Sequence, residues 1–315
     1  MKVLFVCSGN SNKISLFTKE QADSIKKHGV KVDFFLIKGR GAFGYLKNLL
    51  VLKKKINRNK YDLIHAHYGL SALLANLQRK VRVIATYHGS DLHNKRVRIF
   101  SKLSTWLSRE NIFVSSNLAN ISKYSKPIII PCGIDMEIFK PIEKPACREK
   151  MKLNLKKKYI LFSSSFNISV KNYPLASEAI NLLNDKDINL LELKDYSRGE
   201  VALLMNAVDL CLMVSKSEGS PQVIKEAMAC NCPIVSTDVG DVKEIIGKTD
   251  GCYVCSYDPK DVADKIKKAL DFGKRTNGRE KIKYLDEKII AQNIIDLYNN
   301  ILKTKCVNEI CKAIK

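Results

Sequence analysis

Residues Val208–Ile246 read VDLCLMVSKSEGSPQVIKEAMACNCPIVSTDVGDVKEII. The apolar run from Asp209 to Val214 is short and is bounded by Ser215 and Gly219, and helix formers follow Pro221. The order is therefore strand, turn, helix. Pro221 is expected at the first helical position, with Ser220 as N-cap. Backbone N–H groups of Gln222 and Val223, at the positive end of the helix dipole, then form an anion site with Gly219 and Ser220 in the turn before it. Glu218 lies in that turn, and Glu226 follows Pro221 by about 7.5 Å along the helix. A carboxylate beside an anion is repulsive unless the ligand also offers hydroxyls. A sugar and a ribose joined by a diphosphate meet both demands.

Glu218 and Glu226, followed by AMACNCPIVSTDVGDVKEII, resemble the E-x7-E region of retaining GT-B glycosyltransferases of the family 4 kind, the glycosyl transferases group 1. The resemblance implies an α/β GT-B fold of two doubly wound Rossmann-like domains facing across a cleft. It implies a nucleotide-sugar donor held by the second domain and a glycan or lipid-linked hydroxyl acceptor held by the first. Transfer would retain the anomeric configuration with no cofactor and no metal. Glu218 would hold hydroxyls of the donor sugar and Glu226 the ribose. Work in cell-surface polysaccharide or lipopolysaccharide assembly is a further expectation from the family.

The 315 residues are ample for two cores. A hydrophobic share of 45% and a charged share of 27% are those of a soluble globular protein. No apolar run is long enough to span a membrane, and Met1–Cys7 reads as a first buried strand rather than a signal peptide. A cytoplasmic protein is expected, with peripheral attachment to the inner face of the cell membrane as an option. Ten cysteines then read as reduced, packed thiols, although Cys252-x-x-Cys255 with Cys230 and Cys232 leaves a zinc reading open.

Charge is unevenly spread. Residues 1–140 hold 25 Lys and Arg against 8 Asp and Glu, +17 of the total +22. A basic half attracts an acidic substrate, anionic lipid or nucleic acid. The cations are scattered and no stacking-aromatic signature occurs, so nucleic acid is not expected. Residues 44–60 read as an amphipathic helix with a basic end, either a solvated lysine face or an anionic-membrane patch.

Short β-rich runs alternate with helical patterns through residues 2–140, which predicts a parallel sheet with ligands at the carboxyl ends of its strands. Gly9, Asn10 and Ser11 close the first strand as a phosphate or sugar loop, or as an ordinary turn. His65 and His67 alternate onto one side of the third strand, as a hydrogen-bonded pair or as two metal ligands lacking a third. Thr86-Tyr87-His88-Gly89 runs from a strand into a turn and places His88 at the strand end. This resembles the family's acceptor-side histidine motif, so His88 is the candidate contact to the transferred sugar. Asp91 would orient His88 or take the acceptor proton.

Pro131–Asp135 followed by Phe139-Lys140-Pro141 resembles the family's interdomain crossing, with turns at Gly133 and Pro141. The boundary is expected near residues 141–155, giving an acceptor-side domain 1–141, a donor domain 142–286 and a C-terminal helix 287–315 that returns to the first domain with a basic tail. In the family, a loop after the second domain's first strand presents an arginine and, six residues later, a lysine to the donor phosphates. Lys171 matches the lysine, and Ser165 stands where the arginine would be. Leu193 to Ser197 would meet the nucleobase. An added strand and helix usual in the family are missing, which predicts a trimmed sheet edge. Rival readings are a non-catalytic nucleotide-sugar or polyanion binder, favoured by Ser165 and the charge, and an epimerase of the same fold, disfavoured by the few acidic residues of the first half.

Overall fold

The computed structural model describes residues 1–10, 14–39 and 41–313, with only the backbone given for 41–43 and 305–313. It divides into two compact units, Met1–Gly133 with the C-terminal segment from Glu287, and Ile134–Asp286.

The first unit holds six parallel strands: β1 (Lys2–Ser8), β2 (Lys31–Ile37), β3 (Leu63–His67), β4 (Val83–Tyr87), β5 (Glu110–Phe113) and β6 (Ile128–Ile129), in the order β2-β1-β3-β4-β5-β6. Strand period two sends neighbouring side chains to opposite faces. Leu4 and Val6 enter one core, while Val3 and Phe5 enter the other. Both faces are covered, as a parallel sheet requires. Because β1 and β3 are adjacent, the strand order reverses there, and their carboxyl ends are where such a sheet gathers ligands.

In the second unit, β7 (Lys158–Phe162), β8 (Ile188–Glu192), β9 (Leu210–Met213), β10 (Ile234–Thr237) and β11 (Cys252–Cys255) run parallel in the order β11-β10-β9-β7-β8. The reversal falls between β7 and β9, and β8 forms the edge of the sheet. Cys252 packs on one face and Cys255 on the other, in separate cores. That odd spacing keeps the two thiols from sharing one ion.

The division falls at the Gly133 turn of the expected crossing, earlier than the boundary expected at or beyond residue 141. Ile134 N–H donates to the Leu285 carbonyl at 2.9 Å, and Met136 and Phe139 are buried in the second core. The segment before Pro141 therefore belongs to the second unit by burial, and Pro141 is a bend inside it. Glu287–Ala313 is one continuous helix rather than a helix with a separate tail. Ile290, Ile294, Tyr298 and Ile301 from it enter the first unit's core, and Arg82 donates to the Ile301 carbonyl at 2.6 Å.

The basic helix spans Gly41–Arg58 and buries Leu52 and Ile56, leaving Leu46, Leu50 and Val51 exposed. Among the described residues, no helix is long and apolar enough to cross a membrane.

Candidate functional site

In the second unit, two glutamates of one segment each hold a cation from a different strand end. Lys171 ends the short 3-10 turn Ser169–Lys171 after β7, and its ammonium lies 2.6 Å from Glu218 Oε1. Arg198 begins the helix Arg198–Ala207 after β8, and its guanidinium pairs with Glu226 Oε1. Ser197 and Glu200 close that helix start with a capping box, which fixes where Arg198 emerges. The guanidinium also lies 4.5 Å from the Phe139 ring centroid, and the Glu226 side chain is only 5% exposed.

The turn carrying Glu218 is held from behind. Gly240 sits at φ +63°, and a Cβ there would lie 2.7 Å from the Gly219 carbonyl oxygen, so only glycine allows this approach. It brings Asp241 to Ser220, whose hydroxyl donates to the Asp241 carboxylate. The expected capping is therefore corrected. Ser220 is engaged with Asp241, the helix runs Gln222–Ala229, and Pro221 is its N-cap with no side-chain cap bond. Val223 is buried, and Gly219 is buried in the turn. Burial raises the Asp241 carboxyl, and the fully buried Lys225 opposes that shift.

Ser165 donates to Glu192 Oε1 at 2.7 Å, and Phe166 N–H reaches the same oxygen at 2.8 Å. The loop position expected to carry an arginine is thus bonded to a carboxylate. Leu193 packs on the second core, and its N–H donates to the Phe162 carbonyl at 3.2 Å.

In the first unit, three imidazoles stack at the ends of β3 and β4. His65 and His67 ring centroids are 4.5 Å apart, and those of His67 and His88 are 5.4 Å apart. His65 Nδ1 meets Tyr298 Oη at 2.5 Å, its Nε2 meets Thr86 Oγ1 at 2.6 Å, and His67 Nδ1 meets His88 Nε2 at 3.1 Å. His65 and His67 thus share one side of β3, stacked on each other and each hydrogen-bonded to other side chains. Burial pushes His65 down to about 3 and His67 well below its ordinary value, so both are neutral. His88 is half-buried, between Phe17 and Tyr68 at 4.6 and 4.8 Å. Gly89 follows it at φ +127°, a conformation that favours glycine.

Asp91 bonds to the backbone beside His88. Its carboxylate accepts the Gly89 N–H at 2.9 Å and the Gly69 N–H at 3.2 Å, tying together the turns after β4 and β3. Burial raises Asp91 to about 6, against the lowering effect of those N–H groups. Gly9 and Asn10 join β1 to β2. Gly9 N–H donates to the Ile37 carbonyl, and the Asn10 amide exchanges bonds of 2.8 and 3.1 Å with the Gly39 backbone. Ser11 lies outside the described residues.

Two family profiles match the chain, Glycosyltransferase Family 4 over residues 9–138 and Glycosyl transferases group 1 over residues 188–271. An uncharacterized glycosyltransferase of Methanocaldococcus jannaschii is 30% identical over 256 residues, covering 73% of this chain and 72% of that protein. The chain belongs to the family 4 glycosyltransferases. This family 4 enzyme is also 26% identical over 238 residues to the N,N'-diacetylbacillosaminyl-diphospho-undecaprenol alpha-1,3-N-acetylgalactosaminyltransferase of Campylobacter jejuni, covering 64% of the chain and 63% of that protein. Its fold is shared with sucrose-phosphate synthase from Thermosynechococcus elongatus at a TM-score of 0.81 and 17% identity over 96% of this chain and 99% of that one. The Anabaena protein HepE, solved with UDP, matches at 0.75 and 14% over 95% and 100%. These matches show the GT-B fold. Across the curated relatives, the chain spans 59 to 74% of their length.

Sequence reasoning did not find Arg198. Its signal was the capping box Ser197-Arg198-Gly199-Glu200, which announces a helix start at a strand's carboxyl end. Tyr298 was missed too, because a hydroxyl 233 residues from its histidine leaves no local trace.

Proposed function

We propose that this glycosyltransferase moves a sugar from a nucleotide-sugar donor to a hydroxyl of a glycan or lipid-linked acceptor, with retention of anomeric configuration and without a divalent metal. The observation that carries the donor half is the paired arrangement Lys171–Glu218 and Arg198–Glu226 around the start of helix Gln222–Ala229. A ligand carrying both a diphosphate and hydroxyls exchanges with such pairs: the phosphates take the cations, and the hydroxyls take the carboxylates. Lys171, Arg198 and the helix N-terminus supply the positive charge that a metal otherwise brings to a leaving diphosphate. Arg198 compensates for the arginine absent at position 165. In the front-face path, the acceptor oxygen attacks the anomeric carbon as the bond to the diphosphate breaks, and a diphosphate oxygen takes the acceptor proton. His88 is assigned to the acceptor side, with Asp91 fixing the backbone on which it stands.

The undecaprenyl diphosphate in the Campylobacter relative's name supports a lipid-linked acceptor. UDP in the Anabaena neighbour makes uridine donors the first to screen. Glu192 at Ser165 favours the second reading, a nucleotide-sugar binder without turnover. The test is transfer from UDP-sugars to undecaprenyl-diphosphate sugars in EDTA, with the product anomer read by proton NMR. Retained configuration without metal supports the proposal. Inversion, or a strict metal requirement, contradicts the mechanism. Tight donor binding with no transfer to any acceptor supports the binder.

A further inference from the structure

Helix Lys95–Leu107 is inside out. Its buried side carries Ser101, Ser104 and Thr105, while Ile99, Phe100, Leu103 and Trp106 are exposed, Trp106 by 80%. The small buried side has a steric cause. A Cβ on Gly69 would lie 2.1 Å from Ser101 Oγ, so this helix and helix Gly69–Asn76 cross almost in contact. Nothing in that crossing asks the outer side to be apolar, since lysine or glutamate would hold the helix equally well. Next to this stripe, a groove of about 390 Å³ is lined by apolar side chains, among them Leu46 of helix Gly41–Arg58, Leu73 and Leu77, and Phe100. Leu46 and Leu50 extend the apolar surface along the first helix. The two surface helices carry nine cations between them, including Lys53, Lys54, Arg96 and Lys102, and no Asp or Glu.

We propose that these two helices form one docking surface for an anionic phospholipid bilayer, with helix Lys95–Leu107 as the inserting element and the groove receiving acyl chain. The choice of a bilayer over a protein follows from the charge. A surface lacking any carboxylate is complementary to a sheet of anionic headgroups. The aromatic and aliphatic stripe suits the acyl boundary, with lysine and arginine stems reaching up to the phosphates. This extends the membrane patch expected on residues 44–60 to a second helix that sequence reading left unassigned. It does not rest on the acceptor proposal, because plain vesicles contain no glycosyl acceptor. A failed partition would leave the transferase reading standing.

Trp106 is the chain's one tryptophan and reports directly. The experiment titrates the full chain with phosphatidylcholine vesicles with and without phosphatidylglycerol, reading Trp106 emission and its quenching by brominated acyl chains, alongside co-sedimentation. The expected result is a blue shift and quenching on phosphatidylglycerol vesicles. Partitioning should fall roughly tenfold or more in Phe100→Ser/Leu103→Ser, which retains the reporter. It should also fall in Lys53→Glu/Lys54→Glu. Unchanged emission with every vesicle overturns the proposal, as does partitioning that these variants leave intact. A lipid-free dimer that already buries Trp106, seen by sedimentation equilibrium, gives the surface to a second copy and also overturns it.

Discussion

Acidifying the protein from about pH 6.5 to 5 acts on three buried groups of the first unit. His65 is neutral in the folded chain, its pKa lowered to about 3 by burial, and His67 is held well below its ordinary value by burial and by the neighbouring imidazoles. In the unfolded chain both take protons near their ordinary value of 6.5. Below that value the unfolded state binds more protons, so stability falls as pH falls, by about 1.4 kcal/mol per pH unit for each histidine. Asp91 acts in the opposite sense. Its folded value is raised to about 6 from 3.8, so the folded state takes its proton first and regains about 1.4 kcal/mol per unit below pH 6. Integrated over the whole interval, the histidines cost about 3 kcal/mol and Asp91 returns about 1, a net loss of about 2 kcal/mol. For a unit of this size, that is a fall of roughly 4–8 °C in its midpoint. All five histidines lie before Ile134, so the second unit serves as an internal reference. Calorimetry as a function of pH should show one transition moving down by that amount, a shallower slope in His65→Gln and a steeper one in Asp91→Asn. A flat midpoint between pH 6.5 and 5, or an unchanged slope in His65→Gln, would refute the assignment of neutral stacked imidazoles.

Replacing Arg198 by methionine leaves the 5%-exposed Glu226 without its cation, and should cost about 3 kcal/mol in urea unfolding as well as donor affinity. Glu226→Gln in that background should recover stability but not binding. Gly240→Ala forces a Cβ against the Gly219 carbonyl at a positive φ. It should cost about 1–3 kcal/mol and lower kcat by displacing Glu218, measurable by thermal melt and transferase assay. Lys171→Met removes one donor to the leaving diphosphate and should lower kcat by about 10²–10³-fold with the melting temperature little changed.

The parts legible in the sequence were those encoded locally. Short β-rich runs alternating with helical patterns predicted the first unit's parallel sheet, and the strand-to-turn signals at His88 and Glu218 put those residues after the carboxyl ends of β4 and β9. Proline misled where burial and tertiary contact overrode turn chemistry. Of the two turns in the expected crossing, the division falls at Gly133 rather than at Pro141, because Ile134, Met136 and Phe139 are apolar and bury themselves in the second core. Ser220 before Pro221 looked like an N-cap, but the close approach of Gly240 delivers Asp241 to its hydroxyl instead. Contacts between distant segments, such as Arg198 with Glu226 or Tyr298 with His65, were not legible, since pairing across a sheet depends on topology rather than spacing. The exposed stripe of helix Lys95–Leu107 was hidden for a related reason. Its apolar residues have ordinary helical periodicity, and only the packing shows that the periodicity faces outward.

The claim on which the account turns is that Lys171, Arg198 and Glu226 form a nucleotide diphosphate site. Isothermal titration of the wild type, Lys171→Met and Glu226→Gln with UDP, GDP and ADP in EDTA tests it most directly. The wild type should bind one nucleotide saturably, with affinity weakened about tenfold or more in each variant. Absence of binding at millimolar nucleotide, or equal affinity in all three proteins, would contradict it.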